Sequence, residues 1–254
     1  MIVILILLFV IIFVCNLSSE SFTATHKIPK KIFQCVADKN NIHPYFLKNI
    51  NYIKQMNPGW EYTLMDDKDI IEYISTNFPP EILFYYNKIN PNYGSARADF
   101  FRYLLMWKEG GAYFDIKSAM SVSLDQIIEP NDEYLLAHWE DCPQREILGL
   151  ELGEYQQWHI ICRPEHPFLK AVIEKVIRNI QSYTIFDGIG KPGVLKVTGP
   201  IAYSQAIMSL RNSEKCREVR VDADLGLIYN NLPVEHEHLF SKPHYSLINE
   251  PIII

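Results

Sequence analysis

The sequence has no excess of positive charge: 24 Lys and Arg are set against 30 Asp and Glu, for a net charge of −6. That absence excludes the broad basic footprint of a nucleic-acid binder, so no nucleic-acid partner is expected. Any anionic ligand must be met by individual cations in its site, not by the field of the whole protein. The five cysteines contain no C-x-x-C pair and fit no zinc spacing. Internal repeats and low-complexity tracts are missing too, which excludes a solenoid and a low-complexity chain. What is present, 48% hydrophobic and 13% aromatic residues, describes a globular chain. Its 254 residues suffice for one large or two small domains.

Another absence marks the N-terminus. Met1 to Cys15 is an unbroken apolar run, yet no positive n-region precedes it and no small-x-small cleavage site follows. The run is long for a signal-peptide core and short for a comfortable membrane span. An uncleaved membrane anchor over 1–17 is favoured over a cleaved signal peptide, followed by a polar linker over 18–27 and one domain over 28–254. A single-pass membrane protein with a lumenal domain is expected, and a secreted protein is the alternative. Lys27, Lys30 and Lys31 pull against that orientation, because cations beside a span favour the cytoplasmic side. Cys35, Cys142, Cys162 and Cys216 keep two open readings, disulfides or free buried thiols.

Hydrophobic periodicity then predicts alternating elements. Strands are expected at Ile32–Val36, in EYTLM (residues 61–65) and in AYFDI (112–116). Helical spacing covers His43–Met56, the stretch opened by Asp67, and ARADFFRYLLMWKE (96–109), with Ser95 as its N-cap. The double glycine Gly110-Gly111 stops that helix. EYLLAHW and WHIICRP read as later strands, and HPFLKAVIEKVIRNIQ as an amphipathic helix. TGPIAYSQAIMSL enters another helix near Thr198 or Gly199. Strand, helix, strand, helix, strand is the pattern of an α/β sheet whose ligands gather beyond the carboxyl ends of its strands. Asp66 and Asp115 would lie there.

Asp99 and Arg102 are three residues apart on one helix face. They are an ordinary ion pair or, pointing over the strand ends, a carboxylate for sugar hydroxyls beside a guanidinium for phosphate oxygens. The helix returns at once through a strand that delivers Asp115, so three polar groups are expected at one end of the sheet.

The stretch GSARADFFRYLLMWKEGGAYFDIK, residues 94–117, resembles the central motif of glycosyltransferase family 32, the DXD-containing sugar transferases. Ala96, Asp99, Arg102, Gly110, Gly111, Tyr113 and Asp115 match its pattern in order. IPKKIFQ, NPGWEYTLMDD, HPFLKAVIEKV and VTGPIAYSQA are similar to further family blocks, so the resemblance runs from about residue 28 to 210. It implies an α/β fold of GT-A-like, Rossmann-type character with flanking helices behind the N-terminal anchor. It also implies a UDP- or GDP-hexose donor, a glycan or glycolipid acceptor, and hexose transfer with retention. Mannose is favoured, with galactose or glucose next, and a Golgi or ER setting follows. By the same resemblance Asp115 and Arg102 are catalytic candidates, and Lys117 joins them on its charge and its place in the motif. Asp99, Arg102, Asp66, Tyr113, Gly111, Thr198 and Gly199 are the donor-binding candidates. Mn²⁺ or Mg²⁺ is the implied cofactor, held by Asp115 with His244.

Two departures from the family pattern bear on that reading. Where the second Asp of D-x-D would stand is Lys117, which cannot ligate a metal while protonated. Asp115 then holds the metal alone with phosphates and water, or Lys117 supplies the positive charge itself, or the site is silent and the fold binds without turnover. At the first strand, Phe33-Gln34-Cys35-Val36 lacks the family's base-stacking Trp. His236 and His238 read as structural. Glu151 and Glu154 are available by type only as a nucleophile for double displacement.

Overall fold

A computed structural model describes residues 27–139, 153–231 and 244–254. The proposed anchor, the linker up to residue 26, Cys142, Glu151, His236 and His238 lie outside the described residues. No helix among those described is long and apolar enough to cross a membrane.

The elements run β1 (Lys31–Cys35), α1 (Pro44–Met56), β2 (Glu61–Met65), α2 (Asp67–Asn77), α3 (Pro80–Lys88), α4 (Gly94–Glu109), β3 (Gly111–Phe114) and β4 (Ala119–Met120). They continue as α5 (Leu124–Ile127), β5 (Tyr134–Ala137), β6 (His159–Cys162), α6 (Pro167–Ser182), α7 (Gly190–Val197), α8 (Pro200–Met208), β7 (Arg217–Val219) and β8 (Leu227–Ile228). A mixed six-stranded sheet has the order β2-β1-β3-β6-β5-β7. Within it β1 lies parallel to both β2 and β3, β6 runs antiparallel to β3 and β5, and β7 is parallel to β5. The carboxyl ends of β2 and β3 therefore meet the start of β6 at one edge. Asp66, Asp115 and the residues preceding His159 share that edge.

Strand alternation splits the core between the two faces of the sheet. Tyr113, Ile160 and Cys162 face a cluster built with α4, α6, α7 and α8. Ala112, Phe114, Leu135 and Ile161 face the other, built with Ile53 of α1 and Leu124 and Ile127 of α5. Helix α4 explains itself by composition: Phe100, Phe101, Leu104, Leu105 and Met106 are all fully buried, as expected of a helix apolar on most sides. Each such side chain contributes roughly 1.5–3 kcal/mol.

Helix α4 begins one residue before Ser95, at Gly94, with Tyr93 in the N-cap position and no side-chain cap. A cap is replaced here by the C-terminal segment. The Tyr93 hydroxyl donates to Glu250 O at 2.7 Å and accepts from Gly190 N at 3.0 Å. Asn90 N donates to Ile252 O at 2.8 Å, and Ile254 N to Lys88 O at 2.9 Å. Ile248 and Ile252 belong to the same core cluster as α4, so the tail is sewn into the body. At the other end of α4 both glycines are required. Gly111 has φ +91, and a Cβ there would sit 2.5 Å from Lys31 O on β1.

Two buried histidines make the fold acid-sensitive. Burial pushes His159 down to about 3, and His166 down to about 4. His166 caps α6 with a neutral ring nitrogen that accepts from Phe168 N at 3.2 Å. Both groups are depressed, so the unfolded chain binds the extra protons, and stability is full above about pH 6.5 and falls as pH drops toward 4. Each histidine should lower unfolding free energy by about 1.4 kcal/mol per pH unit across that window. Denaturant midpoints at pH 7, 6 and 5 measure the slope. His159→Leu should remove about half of it, and an unchanged slope would contradict this assignment.

Candidate active site

The site is assembled around one buried guanidinium. Arg102, on α4, places Nη1 3.0 Å from Asp115 Oδ1 and Nη2 3.2 Å from Asp99 Oδ1. The same Nη1 donates to Gln157 O at 2.9 Å, and Nε donates to Ala98 O at 3.3 Å. Its plane lies over the Tyr113 ring, 4.8 Å from the centroid. Asp99 is saturated from the far side: Gln157 Nε2 donates to Oδ1 and the Thr198 hydroxyl to Oδ2, each at 3.1 Å. Asp99 and Arg102 side chains are 5% exposed, while that of Asp115 is 24% exposed. Asp115 is thus the member of the cluster that faces solvent, held from behind by the other two.

The electrostatics follow from this burial. Burial raises the Asp99 carboxyl, with Arg102 and then the Gln157 hydrogen bond opposing it. For Arg102 burial opposes the charge, but Asp115, Tyr113 and Asp99 outweigh it and raise its pKa. A guanidinium with two carboxylates and two carbonyls around its fork stays charged at every working pH.

The turn after β3 is pinned on all sides. Asp115 N donates to Trp158 O at 2.8 Å, and Gln34 Nε2 donates to Asp115 O at 3.2 Å. Asn49, from α1, donates to Ile116 O at 3.0 Å and Ser118 O at 2.6 Å. Lys117 points onto Tyr229: Nζ is 2.8 Å from its hydroxyl and 4.1 Å from its ring centroid. A carboxylate held by Arg102 and, two residues on, a lysine ammonium therefore flank one rim of the sheet.

Residues 44–134 match the family model described as the glycosyltransferase sugar-binding region containing a DXD motif. That interval holds Asp99, Arg102, Asp115 and Lys117. This central segment is similar to the DXD-containing glycosyltransferases. An initiation-specific alpha-1,6-mannosyltransferase of Schizosaccharomyces pombe is 24% identical over 205 residues, covering 73% of this chain and 49% of that protein. Inositol phosphoceramide mannosyltransferase 3 of the same organism is 33% identical over 149 residues, covering 59% and 36%. The chain spans about half the length, or less, of the curated relatives it matches. Among solved structures, PaToxG glycosyltransferase shares the fold with a TM-score of 0.56 at 20% identity, over 72% of this chain and 69% of that one.

Among the positions that the DXD glycosyltransferase pattern nominates, Asp99, Arg102, Tyr113, Asp115 and Thr198 come together. Tyr113 lies in the core beneath Arg102. Gly111 packs against Lys31 O, and Gly199 is the N-cap of α8, where a Cβ would meet Leu195 and Val194 at 3.0 Å. Asp66 stands outside the cluster, as the cap of α2: Oδ1 accepts from Lys68 N and Asp69 N, both at 3.1 Å, in a capping box with Asp69. The Asp69 backbone hydrogen bond, ahead of the other contributions, holds its carboxyl below the usual carboxylate range. His244 caps the short turn Tyr245–Leu247, with Nδ1 2.7 Å from Ser246 Oγ. That turn carries Tyr245 to the site. Burial first, and then the charge of Asp99, raise the Tyr245 phenol, and Asp115 adds to the effect. Cys35, Cys162 and Cys216 are free thiols, and burial pushes Cys35 up to about 12.

DXD glycosyltransferases commonly use a divalent cation. Among the described residues the donor set does not amount to a protein-built site for one. One Asp115 oxygen is bonded to Arg102, the second DXD position carries an ammonium, and among the described residues no three His, Cys, Asp or Glu side chains converge. Several contributors carried no sequence signal. Gln157 braces both Asp99 and Arg102, and Trp139, Trp158 and Tyr229 form an aromatic group beside Lys117. They enter from segments 22 to 112 residues beyond Lys117, so only the antiparallel return of β6 and the β4–β8 pair reveals them.

Proposed function

We propose that this protein transfers a hexose from a UDP- or GDP-sugar to a glycan or glycolipid acceptor, with mannose the first candidate and galactose or glucose next. The observation that carries the reading is the single solvent-facing carboxylate of the cluster, Asp115, fixed by buried Arg102, with Lys117 two residues away. Breaking the bond between a sugar and a nucleoside diphosphate leaves positive charge on the anomeric carbon and negative charge on the departing phosphate. Asp115 is suited to orient donor hydroxyls, and Lys117 to meet the diphosphate. Transfer with retention by front-face attack needs no further base, since the departing phosphate oxygen accepts the acceptor's proton. His244 serves on this reading as the clamp that seats Tyr245 near Asp99 and Asp115, and a GT-A-like fold supports the whole. Residues 1–17 are proposed to anchor the domain in a Golgi or ER membrane, facing the lumen.

A screen of residues 28–254 against UDP- and GDP-hexoses, with Mn²⁺ and with chelator, tests this. Turnover that survives chelator is expected. Binding without turnover would instead make the protein a silent sugar-nucleotide binder. Lys117→Asp restores the second carboxylate of the motif and removes the ammonium. Its rate in chelator should fall by about 10²-fold, with much of the loss recovered by Mn²⁺. An unchanged metal response would contradict the role given to position 117.

A further inference from the structure

The Lys117 ammonium is held in a constructed seat. The β4–β8 register pairs Ala119 with Ile228, and the pairing extends past the strands: Ser118 Oγ donates to Tyr229 O at 3.3 Å and Asn231 N to Lys117 O at 2.9 Å. Tyr229 is thereby aligned with the turn that carries Lys117. Its ring is locked by Trp139, edge-on at 5.0 Å, and by Trp158 at 5.5 Å. Trp139 and Trp158 are themselves fixed by the backbone, through Trp139 N to Glu154 O at 2.8 Å and Asp115 N to Trp158 O at 2.8 Å. Tyr229 remains 40% exposed, so the seat opens to solvent.

A lysine ammonium on four flexible bonds samples many positions unless something selects one. Here the phenol oxygen accepts its proton at 2.8 Å while the ring face attracts the charge at 4.1 Å, well inside the range of a cation–π contact. We propose that Tyr229 is a positioning residue that acts through Lys117, holding its ammonium where it meets the diphosphate of the donor. The proposal rests on the sugar-transfer reading above and adds to it a residue that determines affinity for the nucleoside diphosphate.

A double-mutant cycle tests it, with UDP and GDP binding measured by calorimetry and donor turnover measured separately. Tyr229→Ala should raise the Kd of the preferred diphosphate about tenfold and lower donor kcat/KM by at least as much, because the displaced ammonium also meets the departing diphosphate. Tyr229→Phe keeps the ring face and should recover most of the loss, to within about threefold of wild type. In a Lys117→Met background Tyr229→Ala should add less than about twofold, because its effect travels through the ammonium. Tyr229→Leu, which keeps bulk against Trp139, replaces the alanine if that variant does not fold. A full tenfold cost in the Lys117→Met background overturns the proposal, showing a ring that acts on the ligand directly. Donor turnover by wild type in that same result leaves the sugar-transfer reading standing. Failure of wild type to bind either diphosphate overturns both.

Discussion

Arg102→Met should lower folding stability by about 3–5 kcal/mol and abolish sugar transfer. The two effects share one origin. Arg102 is the only cation bonded to Asp99 among the described residues, and Asp99 is buried on every side. Removing the guanidinium strands that carboxylate with only Gln157 and Thr198 as donors. It also releases Asp115 and the Gln157 carbonyl, so the rim loses its order. Arg102→Lys should fare little better, because one ammonium cannot span the 3.0 Å and 3.2 Å contacts to two carboxylates while donating to two carbonyls. Adding Asp99→Asn to Arg102→Met should restore much of the stability and none of the activity, since it removes the buried charge but not the disorder at Asp115. Urea midpoints and donor turnover measured together check this, and wild-type stability for Arg102→Met would contradict it.

Asp115→Asn should separate the two properties. Its side chain is partly exposed, and an amide oxygen can still accept from Arg102, so the unfolding midpoint should change by no more than about 1 kcal/mol. Transfer should fall by roughly 10²–10³-fold, as for other losses of a preorganised polar group at a reacting centre. Turnover within a few-fold of wild type would show that Asp115 is a structural carboxylate that happens to reach the surface.

Much of the frame was legible because its signals are local. The apolar spacing of 167–182, the Pro-Gly turn before β2 and the double glycine after α4 each act within a few residues. Asp99, Arg102 and Asp115 were legible as a group because a helix, a two-residue stop and a strand leave little freedom in where they meet. Burial was not legible: nothing in a three-residue spacing distinguishes a surface pair from the enclosed bridge seen here. Asp66 shows the same limit from the other side, since an acidic residue after a strand serves equally as a ligand contact or a helix cap, and its partners make it a cap. Ser95 was nominated by cap preference alone, but the tail bonded to Tyr93 and Asn90 sets the start of α4 instead. The partners farthest in sequence were invisible. Tyr229 is 112 positions from Lys117, and only tertiary pairing brings them together.

The most direct measurement is a crystal structure of the protein with an intact UDP- or GDP-hexose bound. The account predicts the diphosphate within hydrogen-bond reach of the Lys117 ammonium and the hexose hydroxyls against Asp115, with Arg102 still bridging Asp99 and Asp115. A donor seated away from this rim, or one whose diphosphate never approaches Lys117, would contradict it.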